Sequence, residues 1–555
     1  MKRNKAYIKS GRLDRGRVDW PKEMEKIPPQ ISEQIPVPQL SAVSGYYRDG
    51  FDLTIDGGGL DVYFTLDGSS PYTSGMLYSG AIPIIDRSSQ DNYYSALGPI
   101  SLLSDQYMPD YPVPKACVVR AVAQRKNGTF SKESVATFWV GDQVISSGLG
   151  TCMLSIVSDT EGLFSGKDGI YVTGRVWENN MEKALELDAN LYEVPSNYNM
   201  RGRGWHREAR LTLLDETGAC LYDETDTIAI HGNWTRALNQ KGFNLRPLQD
   251  GERVFDGLLA DSGPTLVLRT GGTDDRHLTN FRDVLNNEVA RDLQVASQRS
   301  IVCQVYLNGE YWGCYNLQDR LDAGFIEARY GVDRESVNLI KNFEAVLDLE
   351  KDYEQYLELE EFVRENDLSD DLNYQQFCNI MDIESLIDYY CCEIFFDNED
   401  AYDNNVALWR TRERGNTPYA DAKWRFVLID TDLSLMDPTL DSFVEGHCRG
   451  YNPDEELFFS NLIVNDTFRK QFLERFRYLV GNDFSYERAE PIITALEKAY
   501  SKPMVESLHR FVDPAFTQSD YHQNVEDVRT FYRERGDYIL SYLQKHYGES
   551  YDGKQ

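Results

Sequence analysis

Three features of the sequence predict a multidomain chain, with an N-terminal β-sandwich of immunoglobulin type followed by an α+β domain and a helical C-terminal extension. Residues 36–145 carry short alternating apolar runs separated by Gly, Ser, Asp and Pro clusters, the pattern of a small antiparallel sandwich. From Leu154 strand and helix patterns mix, and beyond Phe325 helical spacing dominates. The length, 555 residues with 41% hydrophobic side chains, suits about two to four domains with sizeable cores.

Charge narrows the function classes. The chain has 57 basic and 90 acidic residues, a formal net charge of −33. Binding a nucleic-acid backbone or an anionic lipid surface needs a basic face, so both partner classes are excluded. The acid is spread along the chain and 12% of residues are aromatic, which indicates packed structure rather than an acidic tail. No stretch approaches the ~18 apolar residues of a membrane span. The basic start, MKRNKAYIKSGRLDRGRVDW, has no apolar core behind it and is not a signal peptide. Nine cysteines without C-x-x-C spacing are expected to be reduced, mostly buried thiols. Seven histidines form no H-E-x-x-H, so no histidine-built metal site is expected.

Residues 1–35, polar and ending in Pro-Pro and Pro-x-Pro, read as a mobile arm or a strap. In the sandwich, Val62–Leu66, Val118–Ala123 and Ala136–Val140 are the clearest strands, and Asp86–Met108 reads as an insertion. The α+β region, residues 150–453, offers strands at Leu154–Val157, Arg210–Leu214, Thr227–His231, Gly242–Leu245 and Leu266–Leu268, then a helix at Asn280–Leu293. Ile301–Leu307 and Tyr311–Leu317 flank Asn308-Gly309, a pair that suits a two-residue hairpin because both positions need positive φ. In residues 454–555, Phe468, Phe472, Phe476 and Leu479 share one helical face.

Chemistry concentrates between Asp382 and Asp432. Asp382 reads as an N-cap, and Ile383, Leu386, Ile387, Tyr390, Cys391, Ile394 and Phe395 form one apolar stripe, hence a helix pressed into a core. It runs into the acidic loop 397–405, then a short strand at Val406–Trp409, then a buried strand, Trp424–Ile429, that ends in Asp430-Thr-Asp432. Crowded carboxylates repel unless a cation sits between them, and Mg²⁺ is the usual partner of oxygen ligands. The spacing Asp400-x-x-x-x-Asn405 matches a kinase catalytic loop, in which the Asp acts on the attacking hydroxyl and the Asn holds metal. An Asp after the next long strand supplies the second metal ligand of that arrangement.

Several separated motifs form a set: Ile230-His-Gly-Asn-Trp-Thr-Arg236 with Gln240-Lys241-Gly-Phe-Asn-Leu-Arg246, then Phe281-Arg-Asp-Val-Leu-Asn-Asn-Glu-Val-Ala290. The hairpin Val305-Tyr-Leu-Asn-Gly-Glu-Tyr-Trp-Gly-Cys-Tyr315 and the segments Asn398–Trp409 and Trp424–Asp432 complete it. Together they resemble the spore coat protein H (CotH) kinase-like family of atypical protein kinases. The preceding region, through Val62-Tyr-Phe-Thr-Leu-Asp-Gly-Ser-Ser-Pro71, Leu77-Tyr-Ser-Gly-Ala-Ile-Pro-Ile84 and Val118-Val-Arg-Ala-Val-Ala123, resembles the immunoglobulin-like module at the C-terminal end of chitobiases.

The resemblance implies an atypical kinase fold and transfer of the γ-phosphoryl of ATP, with Mg²⁺, to a Ser or Thr of a protein. It implies that Gly232, Asn233 and Thr235 form a phosphate-covering turn, with Arg236 beside it, and that Lys241 is the strand lysine on the α/β-phosphates. Glu288 becomes the ion-pair partner of Lys241, Leu317 to Asp319 the hinge beside adenine, Asp400 the catalytic aspartate, and Asn405, Asp430 and Asp432 the metal ligands. His231 stands where the family prefers arginine, and Gly242 where a second lysine is common. The alternatives are an inactive pseudokinase or coat-assembly scaffold whose β module contacts carbohydrate or cell wall, and a glycosyltransferase reading of Asp430-x-Asp432. The negative field favours a basic acceptor, and the expected location is cytoplasmic or spore-coat associated unless an export signal was trimmed.

Overall fold

The computed structural model describes residues 29–548, apart from 103–107, 143, 145–147, 149, 187–193, 250, 256–257, 260, 272–277, 348–349, 402–404 and 444–455. Most of the expected N-terminal arm, residues 1–28, lies outside the described residues. Its end straps the β module: Ile31 bridges Phe130, and the Phe130 N–H donates to the Gln30 carbonyl at 2.8 Å.

The module is a five-stranded sheet in the order Gly45–Tyr47, Ser134–Val140, Cys117–Gln124, Asp61–Thr65, Met76–Leu77, faced by two short two-stranded ribbons. Val62, Phe64, Val119, Ala121, Ala136 and Phe138 alternate inward, as half-buried strands require, and form its core with Leu53 and Ile84.

From Cys152 the chain builds a closed barrel of seven strands. Around it run Cys152–Ser158, Arg207–Leu214, Cys220–Ile230, Phe243–Arg246, Leu266–Arg269, Glu310–Asp319 and Ser300–Leu307. Every neighbouring pair is antiparallel except the closing one, Cys152–Ser158 with Ser300–Leu307. Closure leaves no open edge. Leu154, Ile156, Leu211, Leu213, Ile228, Ile230, Phe243, Leu245, Leu266 and Leu268 fill the interior. The turn between the last two strands carries positive φ at Asn308 (48°) and Gly309 (89°), as the hairpin dipeptide requires.

The second half is mainly helical. The apolar stripe after Asp382 forms the helix Ile383–Phe396, whose N-cap Asp382 accepts the Ser385 N–H at 3.2 Å and whose residues from Ser385 to Phe396 are buried throughout. A strand that helical spacing hid, Val337–Lys341, lies between Glu344–Ala345 and Ala407–Thr411, and Arg425–Val427 completes this four-stranded antiparallel sheet. Phe468, Phe472, Phe476 and Leu479 are all buried on the helix Asp466–Gly481. The helices Tyr486–Phe511 and Gln518–Tyr547 then tie the two halves together. Tyr500 donates its hydroxyl to Asn316 Oδ1 at 2.7 Å in the barrel, and Arg535 donates to the carbonyls of Ile394 and Phe395 at 2.9 and 3.0 Å.

The module is docked onto the barrel hairpin through several hydrogen bonds. Glu310, 4% exposed, accepts the N–H groups of Tyr93 (2.6 Å), Tyr94 (3.2 Å) and Ser95 (2.7 Å) and the Ser95 hydroxyl (2.6 Å). Thus the segment read as an insertion supplies the clamp. Ala116 N–H to Gly309 O (2.8 Å) and Tyr311 N–H to Pro114 O (2.9 Å) add a short backbone ladder beside it. The eight described cysteines are free thiols, and six of them are buried.

Candidate active site

A cleft of about 930 Å³ opens between one outer face of the barrel and the second half. Period-two alternation builds its roof. With Ile228, Ile230, Phe243, Leu245, Leu266 and Leu268 pointing inward, Ala229, His231, Asn244, Arg246, Val267 and Arg269 point outward into the cleft. The floor brings Lys341, Asp400, Asn405 and Asp430.

Asp400, Asn405 and Asp430 therefore meet in one cleft, although they lie on different elements. Asn405 and Asp430 both adopt left-handed backbone (φ 53° and 55°), and Asn405 Nδ2 donates to the Asp430 carbonyl at 3.3 Å. That hydrogen bond fixes the amide so that Oδ1 remains as an oxygen ligand. Asp400 is held from below: its N–H donates to Asn398 Oδ1 at 3.3 Å, and Asn398 Nδ2 donates to Glu393 Oε2 at 2.9 Å. Glu393 is fully buried, and burial, with the neighbouring Asp283 charge, pushes its carboxyl up to about 8. Of the loop between the two motif residues, Tyr402, Asp403 and Asn404 lie outside the described residues.

Gly232, Asn233, Thr235 and Arg236 also line the cleft, on the opposite side. Gly232 has φ +100°, and a Cβ there would stand 2.2 Å from Thr235 Oγ1, so only glycine fits this turn. Arg236 serves the turn from behind. It donates to the carbonyls of Gly232 (2.6 Å), Ile230 (2.7 Å) and Tyr198 (2.8 Å), and burial, then Arg201, draws its guanidinium down to about 10. It is a staple rather than a phosphate ligand.

Three expectations from the sequence are corrected here. Lys241 is fully buried and does not reach the cleft. Its Nζ donates to the carbonyls of Arg236 and Leu238, both at 2.6 Å, and sits 4.1 Å from the Tyr198 ring centroid. Burial, reinforced by Arg236, holds its ammonium well below the ordinary lysine value. Glu288 does not pair with it, but with Arg291 one helical turn on. Leu317 points into the barrel core, on a strand paired on both sides, while Asp319 at the strand's end does line the cleft. The signal was present: Lys241 lies two residues before Phe243, so alternation sends both inward.

The cation that pairs with the acidic segment in the cleft is Arg269, which the sequence reading missed. It ends the strand Leu266–Arg269 and bonds Asp430, Asp432 Oδ2 (2.6 Å) and Asp283 Oδ2 (3.4 Å). Burial alone would weaken its charge, but the three carboxylates more than compensate and hold the guanidinium well above its ordinary value. Asp430 moves the other way. Burial opposes its ionisation, yet Arg269 and Lys341 hold the carboxyl below its usual range. Asp283 belongs to the helix Arg282–Val289 and also accepts the Thr431 N–H at 2.9 Å, so that helix, strand and acidic segment are locked together.

Among the described residues no three His, Cys, Asp or Glu side chains are gathered as a metal cage. The hard-oxygen donors at hand are instead the Asn405 amide and Asp430, which line the cleft, and Asp432, which is 3% exposed and absent from the cleft lining but shares Arg269 with Asp430. This set fits Mg²⁺, which takes one or two carboxylates and completes its shell with phosphate oxygens and water.

The two departures, His231 and Gly242, face each other across one bridge, where the His231 N–H donates to the Gly242 carbonyl at 2.8 Å. A Cβ on Gly242 would lie 2.7 Å from the Leu268 carbonyl and 3.4 Å from the His231 Cβ, so a second lysine has no room here. Burial, then the Lys341 and Arg269 charges, push the His231 imidazole down to about 3, so it is neutral. Asn244 Nδ2 donates to Ile230 O (3.2 Å) and its Oδ1 accepts from Arg320 (3.2 Å), which orients the amide. His231 Nδ1 must then donate to that same oxygen, at 3.1 Å.

Comparison with known families agrees with this architecture. No curated protein matches the chain. The Fn3 associated family model matches residues 51–138, within the docked β module. The CotH kinase protein family model matches residues 228–539, from the cleft-facing barrel strands through the C-terminal helices. That span covers more than half of the sequence, and the chain belongs to the CotH kinase protein family.

Proposed function

We propose that the cleft binds ATP with Mg²⁺ and transfers the γ-phosphoryl group to a Ser or Thr hydroxyl of a protein. The observation that carries this reading is the meeting of Asp400, Asn405 and Asp430 opposite the Gly232–Thr235 turn in one cleft. Asp400 would orient the acceptor hydroxyl and take its proton as the new O–P bond forms and the bond to the β-phosphate oxygen breaks. Asp430, Asp432 and Asn405 Oδ1 would hold Mg²⁺, which supplies charge neutralisation for the transferred group. Arg269, anchored to Asp283 on the following helix, takes the place foreseen for Lys241 and Glu288. The fixed Glu393–Asn398 brace favours catalysis over a scaffold role, because it positions Asp400 at the cost of burying a carboxyl. The field of the −33 chain favours basic residues around the acceptor hydroxyl.

A thermal-shift titration with ATP, UDP-sugars and Mg²⁺ tests the reading, followed by phosphate transfer to a basic Ser/Thr peptide. ATP should stabilise the chain only with Mg²⁺, and Asp430→Ala should abolish the shift. Asp400→Asn should bind ATP yet transfer no phosphate. Retained transfer in Asp400→Asn, or no shift with any nucleotide, would sink it.

A further inference from the structure

The cleft has a second cationic pole that the transfer chemistry does not use. Arg246, Arg320 and His206 line it together, and the charges of Arg203 and Arg207 bear on the same histidine. Strand register fixes where this pole lies. Leu245 pairs with Leu266, and Leu266 with Asp319, so Arg246 and Arg320 sit one row beyond, while Arg269 sits three rows back. At 3.3 Å per residue the two poles are roughly 13 Å apart along the sheet. Between them lie Ala229, Asn244 and Val267.

This pole holds more positive than negative charge, with Asp322 the carboxylate that Arg246 and Arg320 share. The Arg246 guanidinium makes no hydrogen bond or ion pair with any described residue, and its buried Nε has no partner. The carboxylate that bears on it, Asp322, is already engaged by Arg320 at 2.8 Å and by the Thr265 hydroxyl at 2.5 Å. Burial holds the His206 imidazole below its ordinary value, and Arg246, Arg203, Arg207 and Arg320 add to that effect. A chain of net charge −33 has acids to spare, yet leaves Arg246 without an ion-pair partner among the described residues inside this cleft.

We propose that Arg246, Arg320 and His206 form an anion subsite for a phosphate group, distinct from the Asp430 pole. The group is carried either by the nucleotide, beyond its 5′-phosphates, or by the acceptor. Arg246 supplies the free guanidinium fork that suits phosphate oxygens. Arg320 is steadied by Asp322 and Asn244, and a neutral His206 can donate one N–H. The inference rests on the proposed function only for the identity of the opposite pole.

Titration of the full chain with inorganic phosphate at low salt and without divalent metal, followed by Trp205 fluorescence, tests it. Trp205 lines the same cleft. Phosphate should bind the native chain and Lys341→Gln alike, and bind Arg246→Gln about tenfold more weakly, the loss expected for one charged hydrogen-bonding partner. Arg246→Lys should recover part of that loss, which separates charge from misfolding. Binding untouched by Arg246→Gln, binding removed only by Lys341→Gln, or no binding at all overturns the subsite. Adenosine 3′,5′-bisphosphate gaining over AMP in an Arg246-dependent way assigns the phosphate to the nucleotide. A phosphoserine peptide gaining over its serine form assigns it to the acceptor, and failure of both to gain overturns the proposal. Arg246-dependent phosphate binding without any phosphoryl transfer would remove the kinase reading and leave the subsite standing.

Discussion

Replacing Glu393 by Gln isolates one buried proton beneath the loop that carries Asp400. Glu393 holds Asn398, which holds the Asp400 backbone, and burial pushes its carboxyl from the ordinary 4.5 up to about 8. Below pH 4.5 folded and unfolded chains both carry the proton. Between the two values only the folded chain does, so stability falls as pH rises, and above about 8 the dependence ends. Each pH unit in that window costs about 1.4 kcal/mol, which amounts to roughly 3 kcal/mol by pH 7 and roughly 5 kcal/mol over the whole window. Glutamine does not titrate but still presents an oxygen to Asn398 Nδ2. Its fixed cost, an amide N–H₂ without an acceptor, is about 1–3 kcal/mol at every pH. Urea unfolding of both proteins at several pH values from 5 to 9 gives the stability difference, in which all other titrations cancel. That difference should move in favour of the Gln variant by several kcal/mol between pH 5 and 8 and then level off. Parallel curves would refute the reasoning, because they would mean that Glu393 is ionised in the fold.

Two further outcomes follow from the same geometry. Arg269→Gln removes the cation shared by Asp283, Asp430 and Asp432; it should lower metal-free stability by about 3–5 kcal/mol, and Mg²⁺ should restore more stability than in the native chain. An unchanged melting temperature and Mg²⁺ response would show that the carboxylates do not depend on Arg269. Glu310→Ala strips the acceptor from three backbone N–H groups and the Ser95 hydroxyl, with an expected loss of at least about 3 kcal/mol and faster proteolysis within 86–102; an unaltered cleavage pattern would contradict the clamp.

What the sequence made legible were features whose cause is local. The helix Ile383–Phe396 announced itself by its apolar stripe and its Asp382 cap, and the acids after it mark where buried elements surface. The barrel strands were legible as alternating runs, but their closure was not, since it depends on a parallel pairing of residues 152–156 with 303–307. Arg269 was invisible for a related reason. A strand-end arginine usually marks a solvated edge, and this one acquires its role from carboxylates 14, 161 and 163 positions away. Lys241 was misread because a motif outweighed periodicity: its spacing from Phe243 and Leu245 puts it on the inward face, where Tyr198 and two carbonyls receive it. Arg246 drew no attention, because the absence of a counter-ion is a property of the fold and not of any segment.

The Glu310 clamp makes the β module a handle. Glu310 opens the ten-residue strand Glu310–Asp319, and Asp319 at its other end lines the cleft. Residues 310–318 pair along one flank with Ser300–Leu307 and residues 316–319 pair on the other with Leu266–Arg269, so a single strand runs about 30 Å from the clamp to the cleft. Moving the module therefore loads a strand whose far end lines the cleft, so the module and the cleft are connected through one element.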